Sequence, residues 1–293
     1  MNDDILITVG IPFYNAAKTI FDAVKSVFAQ TYKNWELILV DDGSTDEGLE
    51  IVKKIKSEKV ILVSDGKNMG LAARLNMISE MAKGLYVARM DADDIMFPER
   101  LGMQIRFFKA YPDTDLLGAS VVCVDGGNQI CAVRPVKNEI ENAFTVIKGE
   151  VLIHPTVMAT KEWFIRNPYD ASYRNSEDYE LWCRTAGAAR IANLSQPLLF
   201  YREYGVYPFN KYLPRSRISR KIISFYGPEK IGRTASNFLI SRRLFLEAAY
   251  FGLHVCGMWR LTHIVRNRSL TDNEIINYGN VMDRVMETVV PVG

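Results

Sequence analysis

The sequence predicts an α/β fold, a mixed sheet flanked by helices, and three observations carry that expectation. Short apolar runs, Ile5–Ile11, Trp35–Val40, Val60–Ser64 and Leu85–Met90, are nearly continuous in hydrophobic character, as strands buried on both faces of a parallel sheet must be. Segments with apolar residues at helical spacing separate them, which is the strand–helix rhythm of parallel sheets. Three strand ends then run into polar or acidic residues: Asn15, Asp41-Asp42, and Asp91-Ala92-Asp93-Asp94. Open α/β sheets bind ligands at the carboxyl ends of their strands, so these three ends converge on one candidate site.

Size and composition narrow the class. The chain has 293 residues, 48% hydrophobic and 24% charged, which are globular values and not those of a disordered chain. Its four cysteines have no C-x-x-C spacing and it has three histidines, so a zinc site is not expected and reduced thiols in a cytoplasmic protein are. The start, Met1-Asn2-Asp3-Asp4, lacks the basic region of a signal peptide. No apolar run reaches the roughly 20 residues that span a bilayer.

Charge is unevenly placed. The net charge is +2, yet residues 202–268 hold thirteen Lys and Arg against three Glu, a surplus of ten that leaves the remainder at −8. An acidic body with a basic appendage asks for an anionic partner. The basic residues alternate with aliphatic stretches and not with aromatic stacking platforms, so nucleic acid is not expected. An amphipathic surface on anionic lipid is one reading of the apolar segments at 238–259, and a helix pair buried on the body is the other.

In chain order, Pro12-Phe13-Tyr14-Asn15 breaks the first strand, and Ile20, Val24, Val27 and Phe28 mark a helix ending near Gln30. After the second strand, Gly43 supplies positive φ, and Ser44 and Thr45 can cap a helix over Gly48–Ile55. Asn68-Met69-Gly70 leads into a helix Leu71–Lys83 that carries Arg74 and Asn76. Pro98 opens a helix running to Tyr111. Shorter strands follow at Leu116–Asp125, Ile130–Val133, Val151–Ala159, Arg190–Leu194 and Pro197–Tyr204, with a helix near Asn138–Ile147, as in a mixed and partly antiparallel extension. Ser176 is placed to cap a helix whose first turn holds Glu177 and Asp178, acids that the helix dipole favours there.

Several of these residues point to chemistry. Asp91 and Asp93 alternate on an extended backbone, so both face one side, where a divalent cation or a sugar phosphate fits. A solvated acidic turn is the plainer reading of that tetrad alone. An acid fixed at a helix start above apolar Trp182 suits a general base in a cleft.

Five stretches together resemble a known family: Val9–Asn15, Ile38–Ser44, Asn68–Gly70 through Arg74 and Asn76, Met90–Asp94, and Ser176–Tyr179 through Trp182. In this order, over about residues 5–205, they resemble family 2 (GT2) glycosyltransferases of the GT-A fold, a Rossmann-like sheet, of the bacterial polysaccharide and O-antigen kind. The resemblance implies that Pro12, Tyr14, Asp41, Arg74 and Asp91 bind the donor nucleotide, with Asp41 accepting from the uracil imide. It implies that Asp93, with Asp91, holds Mg²⁺ or Mn²⁺, and that Asp178 is the catalytic base. Glu177, His154 and Trp182 would face donor or acceptor sugar or the diphosphate.

The implied organisation is a catalytic domain over 1–205, with a nucleotide-binding half 1–100 and an acceptor-binding half 101–205; the helical region 206–293 matches no motif of the family, and the expectation that it associates with membrane rests on its charge and apolarity alone. The implied activity is inverting, metal-dependent transfer of one sugar from a UDP-linked donor to a lipid-linked oligosaccharide, at the inner face of the cytoplasmic membrane. No Gln-x-x-Arg-Trp stretch follows the base, which fits single addition and not polymerisation. A nucleotidyltransferase is the alternative enzyme, although Pro12–Asn15 lacks the glycine-rich basic loop that holds a triphosphate. A non-catalytic sugar-nucleotide-binding component of a polysaccharide complex is the alternative outside catalysis.

Overall fold

The computed structural model describes residues 5–138, 140, 142–149, 151–202, 209–256 and 267–293. Among them, nine strands form one sheet: β1 Ile7–Phe13, β2 Trp35–Asp41, β3 Val60–Ser64, β4 Tyr86–Arg89, β5 Ile95–Met96, β6 Leu116–Val124, β7 Ile130–Arg134, β8 Met158–Thr160 and β9 Ile191–Arg202. Their order is β3-β2-β1-β4-β8-β6-β9-β5, with β7 on β6. The pairs within β3-β2-β1-β4 are parallel; β8 pairs antiparallel with β4 and β6, and β9 runs parallel to β6. The chain moves outward from β1 through β2 and β3, then returns to place β4 on the other side of β1. That reversal is the switch point where such sheets open a crevice.

Period-2 alternation divides the core. Leu37 and Leu39 of β2 face a cluster with Ile7, Val24 and Val27, under α1 (Ile20–Phe28). Ile38 and Val40 face the opposite cluster with Leu75 and Ile78 of α3 (Leu71–Met81). The helix α2 (Gly48–Lys53) is short, and α4 (Arg100–Ala110) follows Pro98. Further on lie α5 (Ala143–Lys148), α6 (Lys161–Arg166) and α7 (Glu177–Thr185). The expected helix at 138–147 begins later, at Ala143, behind an Asn142 side chain that caps Thr145 N; residues 139 and 141 lie outside the described set.

Two expected strands, 190–194 and 197–204, are one strand, β9, over its described length. Pro197 lacks the N–H that a regular ladder needs, and the pairing with β6 shifts register at Ala119–Ser120, where Ser120 meets Pro197.

The basic region holds α8 (Phe209–Lys230) and α9 (Arg233–Val255), which pack on each other, while α8 also packs on α7. Ile222, Ile223 and Leu239 are buried in the same cluster as Trp182, so the inner face of this hairpin is core. The final helix, α10 (Asp272–Met286), returns to the body: Lys25 Nζ donates to Met286 O at 2.8 Å, and Ile55 bridges Val292. The expected boundary at 205/206, and Arg260 and Arg266 of the basic stretch, lie outside the described residues.

Candidate active site

The loops after β1 and β4 meet in a cleft of about 710 Å³, bordered by Pro12, Tyr14, Asn15, Lys18, Asp46, Glu47, Asp91 and Asp93. Asn15 adopts φ 51, and its Oδ1 accepts from Thr45 N at 2.8 Å, tying the β1 loop to the β2 loop. Tyr14 is 51% exposed, which leaves its ring open to a planar ligand.

At the end of β2 the two aspartates diverge. Asp41 is buried, accepting from Ser44 N at 2.9 Å and Ser64 Oγ at 2.8 Å. Burial alone raises its carboxyl, but hydrogen bonds from Ser44, Ser64 and Gly43 bring it below the ordinary range. One oxygen holds the turn after β2 and the other ties it to the end of β3. Asp42 instead accepts from Arg74 Nε at 2.8 Å and from the backbone N–H of Met69 and Gly70. Gly70 has φ +86 and Gly43 φ +76, conformations that glycine adopts without strain. Arg74 is fully buried and also donates to Asp65 at 2.7 Å, so its guanidinium spans both acids. The structure therefore groups Arg74 with Asp42 and not with Asp41.

The acidic turn after β4 is a cluster. Asp91, Asp93 and Asp94 bring ligand atoms within 4.8 Å of one another. Burial, then the neighbouring Asp91 charge, pushes Asp93 up to about 6. Asp94 is raised well above the ordinary range, by burial and then by Asp91 and Asp93. Its Oδ1 accepts from Arg202 N at 2.9 Å, while its Oδ2 is buried with no hydrogen-bond partner. Three crowded carboxylates held this way fit a hard divalent cation, whose charge relieves the repulsion.

Arg89, the last residue of β4, lies behind this cluster. Both Asp91 oxygens contact its guanidinium, at 2.8 and 2.6 Å. Burial opposes its charge, but Asp91, Tyr169 and Asp94 keep its pKa above the usual arginine value. Tyr169 is buried, its backbone pinned by two hydrogen bonds of 2.9 Å to Asn76 and its hydroxyl 2.9 Å from His154 Nε2. Burial raises the Tyr169 phenol strongly; Arg89 opposes this, and Asp178, Glu177 and Asp91 add to it. The metal-side acids and the acids of α7 thus share one electrostatic neighbourhood around Arg89 and Tyr169.

On α7, Glu177 is buried and its carboxyl is raised, chiefly by burial. Asp178 is half-buried and accepts from Tyr179 N. Ser176 stands at the helix start, but its hydroxyl donates to Asn175 O and caps nothing.

Trp182 and His154, expected to face sugar or diphosphate, are both buried. Trp182 is 3% exposed, packed in the core edge-on to His154, so it is not free to meet a sugar. His154 is buried against Tyr169, and burial, with Arg89 and Arg215, keeps it neutral; it braces Tyr169 from beneath.

Sequence reasoning passed over Arg89, Tyr169 and Arg202, and named Asp42 only as part of the acidic end of β2. Arg202 donates to Asp93 O at 2.8 Å and to Asp125 O at 3.1 Å, which ties the acidic turn to the β6–β7 turn. A lone arginine ending an apolar strand, two residues before an acid, was the available signal for Arg89.

Comparison with known proteins agrees with this geometry. The model of glycosyl transferase family 2 matches residues 8–167. EpsE of Bacillus subtilis is 32% identical over 211 residues, covering 69% of this chain and 75% of EpsE. The UDP-Glc:alpha-D-GlcNAc-diphosphoundecaprenol beta-1,3-glucosyltransferase WfaP of Escherichia coli is 38% identical over 104 residues, 36% of this chain and 41% of WfaP. Among solved structures, S. aureus TarS 1–349 in complex with UDP superposes with TM-score 0.59 at 19% identity, over 97% of this chain and 81% of that one. Mannosyltransferase PcManGT from Pyrobaculum calidifontis, in complex with GDP-Man and Mn²⁺, gives 0.56 at 14% identity, over 96% and 84%. The chain belongs to glycosyl transferase family 2 and is a glycosyltransferase of the GT-A fold.

Proposed function

We propose that this glycosyltransferase moves one sugar from a UDP-linked donor to a hydroxyl of a lipid-linked oligosaccharide in surface-polysaccharide assembly, with inversion, Mg²⁺ or Mn²⁺, and the cytoplasmic membrane face as its place of work. The observation that carries the reading is the joining of three acids at the switch point to Glu177 and Asp178 around Arg89 and Tyr169. The UDP complex of TarS, the GDP-Man and Mn²⁺ complex of PcManGT and the diphosphoundecaprenol acceptor in the name of WfaP support it.

In this reading Tyr14 and Pro12 flank the base, and Asp42 with Arg74 borders it, in place of Asp41. Asp93, with Asp91, would hold the cation, which when bound would supply charge neutralisation for the departing diphosphate. Asp178 accepts the proton of the acceptor hydroxyl as its oxygen attacks the anomeric carbon. The carbon–oxygen bond to the diphosphate breaks on the opposite face, so one base suffices and the configuration inverts. Glu177 orients hydroxyls of donor or acceptor.

A panel of nucleotide sugars tests the reading by calorimetric titration with Mn²⁺ and with EDTA. A UDP-linked donor that binds with Mn²⁺ and loses affinity in EDTA is expected. Binding confined to nucleoside triphosphates would move the assignment to a nucleotidyltransferase, and absence of any nucleotide binding would leave a non-catalytic component.

A further inference from the structure

The outward side of α9 is built unlike that of a water-facing helix. Phe238, Phe245, Ala249, Gly252 and Cys256 follow one another at seven, four, three and four residues, a single stripe at helical periodicity. Phe245 is 72% exposed, Phe238 61% and Val255 68%, and Phe225 of α8 adds a side chain 71% exposed. Near its N-terminus the opposite side of α9 is buried at Ser236 and Leu239, while farther along Leu244 and Phe251, off the stripe, are 46% and 55% exposed. The one acid of α9, Glu247, pairs at 3.0 Å with Arg220 of α8, so no acidic side chain interrupts the stripe. Arg242 sits within the stripe, between Phe238 and Phe245, and Arg217, Lys221 and Arg233 are further exposed cations of the hairpin.

We propose that this face of the α8–α9 hairpin docks on an anionic lipid bilayer. Contiguous exposed apolar surface marks an interaction site, and charge decides the occupant. Residues 209–255 hold nine Lys and Arg against two Glu. A second copy would oppose one strongly positive face to another, whereas anionic headgroups complement the exposed cations while the phenylalanines enter the acyl boundary. No described helix is long and apolar enough to cross a membrane, so the hairpin lies on the surface. Because α8 packs on α7, the helix that carries Glu177 and Asp178 is held one layer from the lipid. Only the purpose of docking, delivery of a lipid-borne acceptor to that helix, rests on the proposed function; the docking itself does not.

Co-sedimentation with phosphatidylcholine vesicles, with and without phosphatidylglycerol, tests the proposal, alongside light scattering for mass, UDP titration and melting. The full chain is expected to pellet with phosphatidylglycerol vesicles and to release as salt rises. Phe245→Glu, which takes a large apolar side chain out of the interface, is expected to weaken binding about tenfold or more. Arg217→Glu with Arg242→Glu should weaken it on anionic vesicles, with UDP binding and melting unchanged in both variants. Equal binding to neutral vesicles, binding indifferent to Phe245→Glu, or a protein that ignores vesicles would overturn the proposal, as would a dimer that Phe245→Glu dissociates. Vesicle binding without nucleotide binding would leave docking intact and sink the transferase reading alone.

Discussion

Arg89 Nη1 lies 2.8 Å from Asp91 Oδ2 and Nη2 2.6 Å from Oδ1, a two-armed grip that sets the orientation of the carboxylate facing the donor cleft. A bidentate arginine pair supplies direction as well as charge, and lysine cannot reproduce it. Arg89→Lys should therefore weaken Mn²⁺-dependent donor binding about tenfold, while costing less stability than Arg89→Ala. Removing one partner of a buried pair costs about 3 kcal/mol or more, so Arg89→Ala should show that loss in urea unfolding.

Asp42 and Asp41 make opposite predictions. Asp42→Asn deprives buried Arg74 of a charged partner, and in the proposed reading UDP affinity should fall about tenfold. Asp41→Asn disturbs a turn held by Ser44 and Ser64; it should cost about 1 kcal/mol of stability and leave UDP affinity within about twofold. Calorimetric titration with UDP separates the two.

This pair also marks where the sequence was legible. β1 to β4 and their polar ends could be read because each strand is apolar throughout and each end is sharply polar. Two adjacent aspartates, however, look alike as letters. Alternation tells them apart: Ile38, Val40 and Asp42 share the face covered by α3, which carries Arg74, while Asp41 continues the face of Leu37 and Leu39. Trp182 was ambiguous because an aromatic above a first-turn acid reads equally as cleft wall or as core, and only the arrival of Ile222 and Ile223 from α8 made it core. Of the two readings of the hairpin, the structure bears on the buried one: the inner side is core, and the outer side is exposed.

Mn²⁺ binding should depend on pH. The carboxyl of Asp93 is pushed up to about 6 by burial and by Asp91, so below that value a cation must displace a proton. Apparent Mn²⁺ affinity should fall about tenfold per pH unit as pH drops below about 6, and be nearly level above about 7. Titration by Mn²⁺ electron paramagnetic resonance checks this; Asp93→Asn should remove both the tight site and its pH dependence.

Arg202 couples the acidic turn to the β6–β7 turn through Asp93 O and Asp125 O. Arg202→Ala frees both turns, so the Mn²⁺ concentration needed for half-maximal activity should rise several-fold. Activity at saturating Mn²⁺ should largely return, which loss of a metal ligand would not allow.

The most direct test of the proposed chemistry is transfer by Asp178→Asn, with the parent and Glu177→Gln alongside, using the donor identified by titration and a lipid-linked acceptor. A general base contributes about 10²–10⁴-fold, so Asp178→Asn should lose transfer by that factor while binding UDP and Mn²⁺ as the parent does. Transfer by Asp178→Asn within about threefold of the parent, on the scale of that general-base factor, would contradict the account.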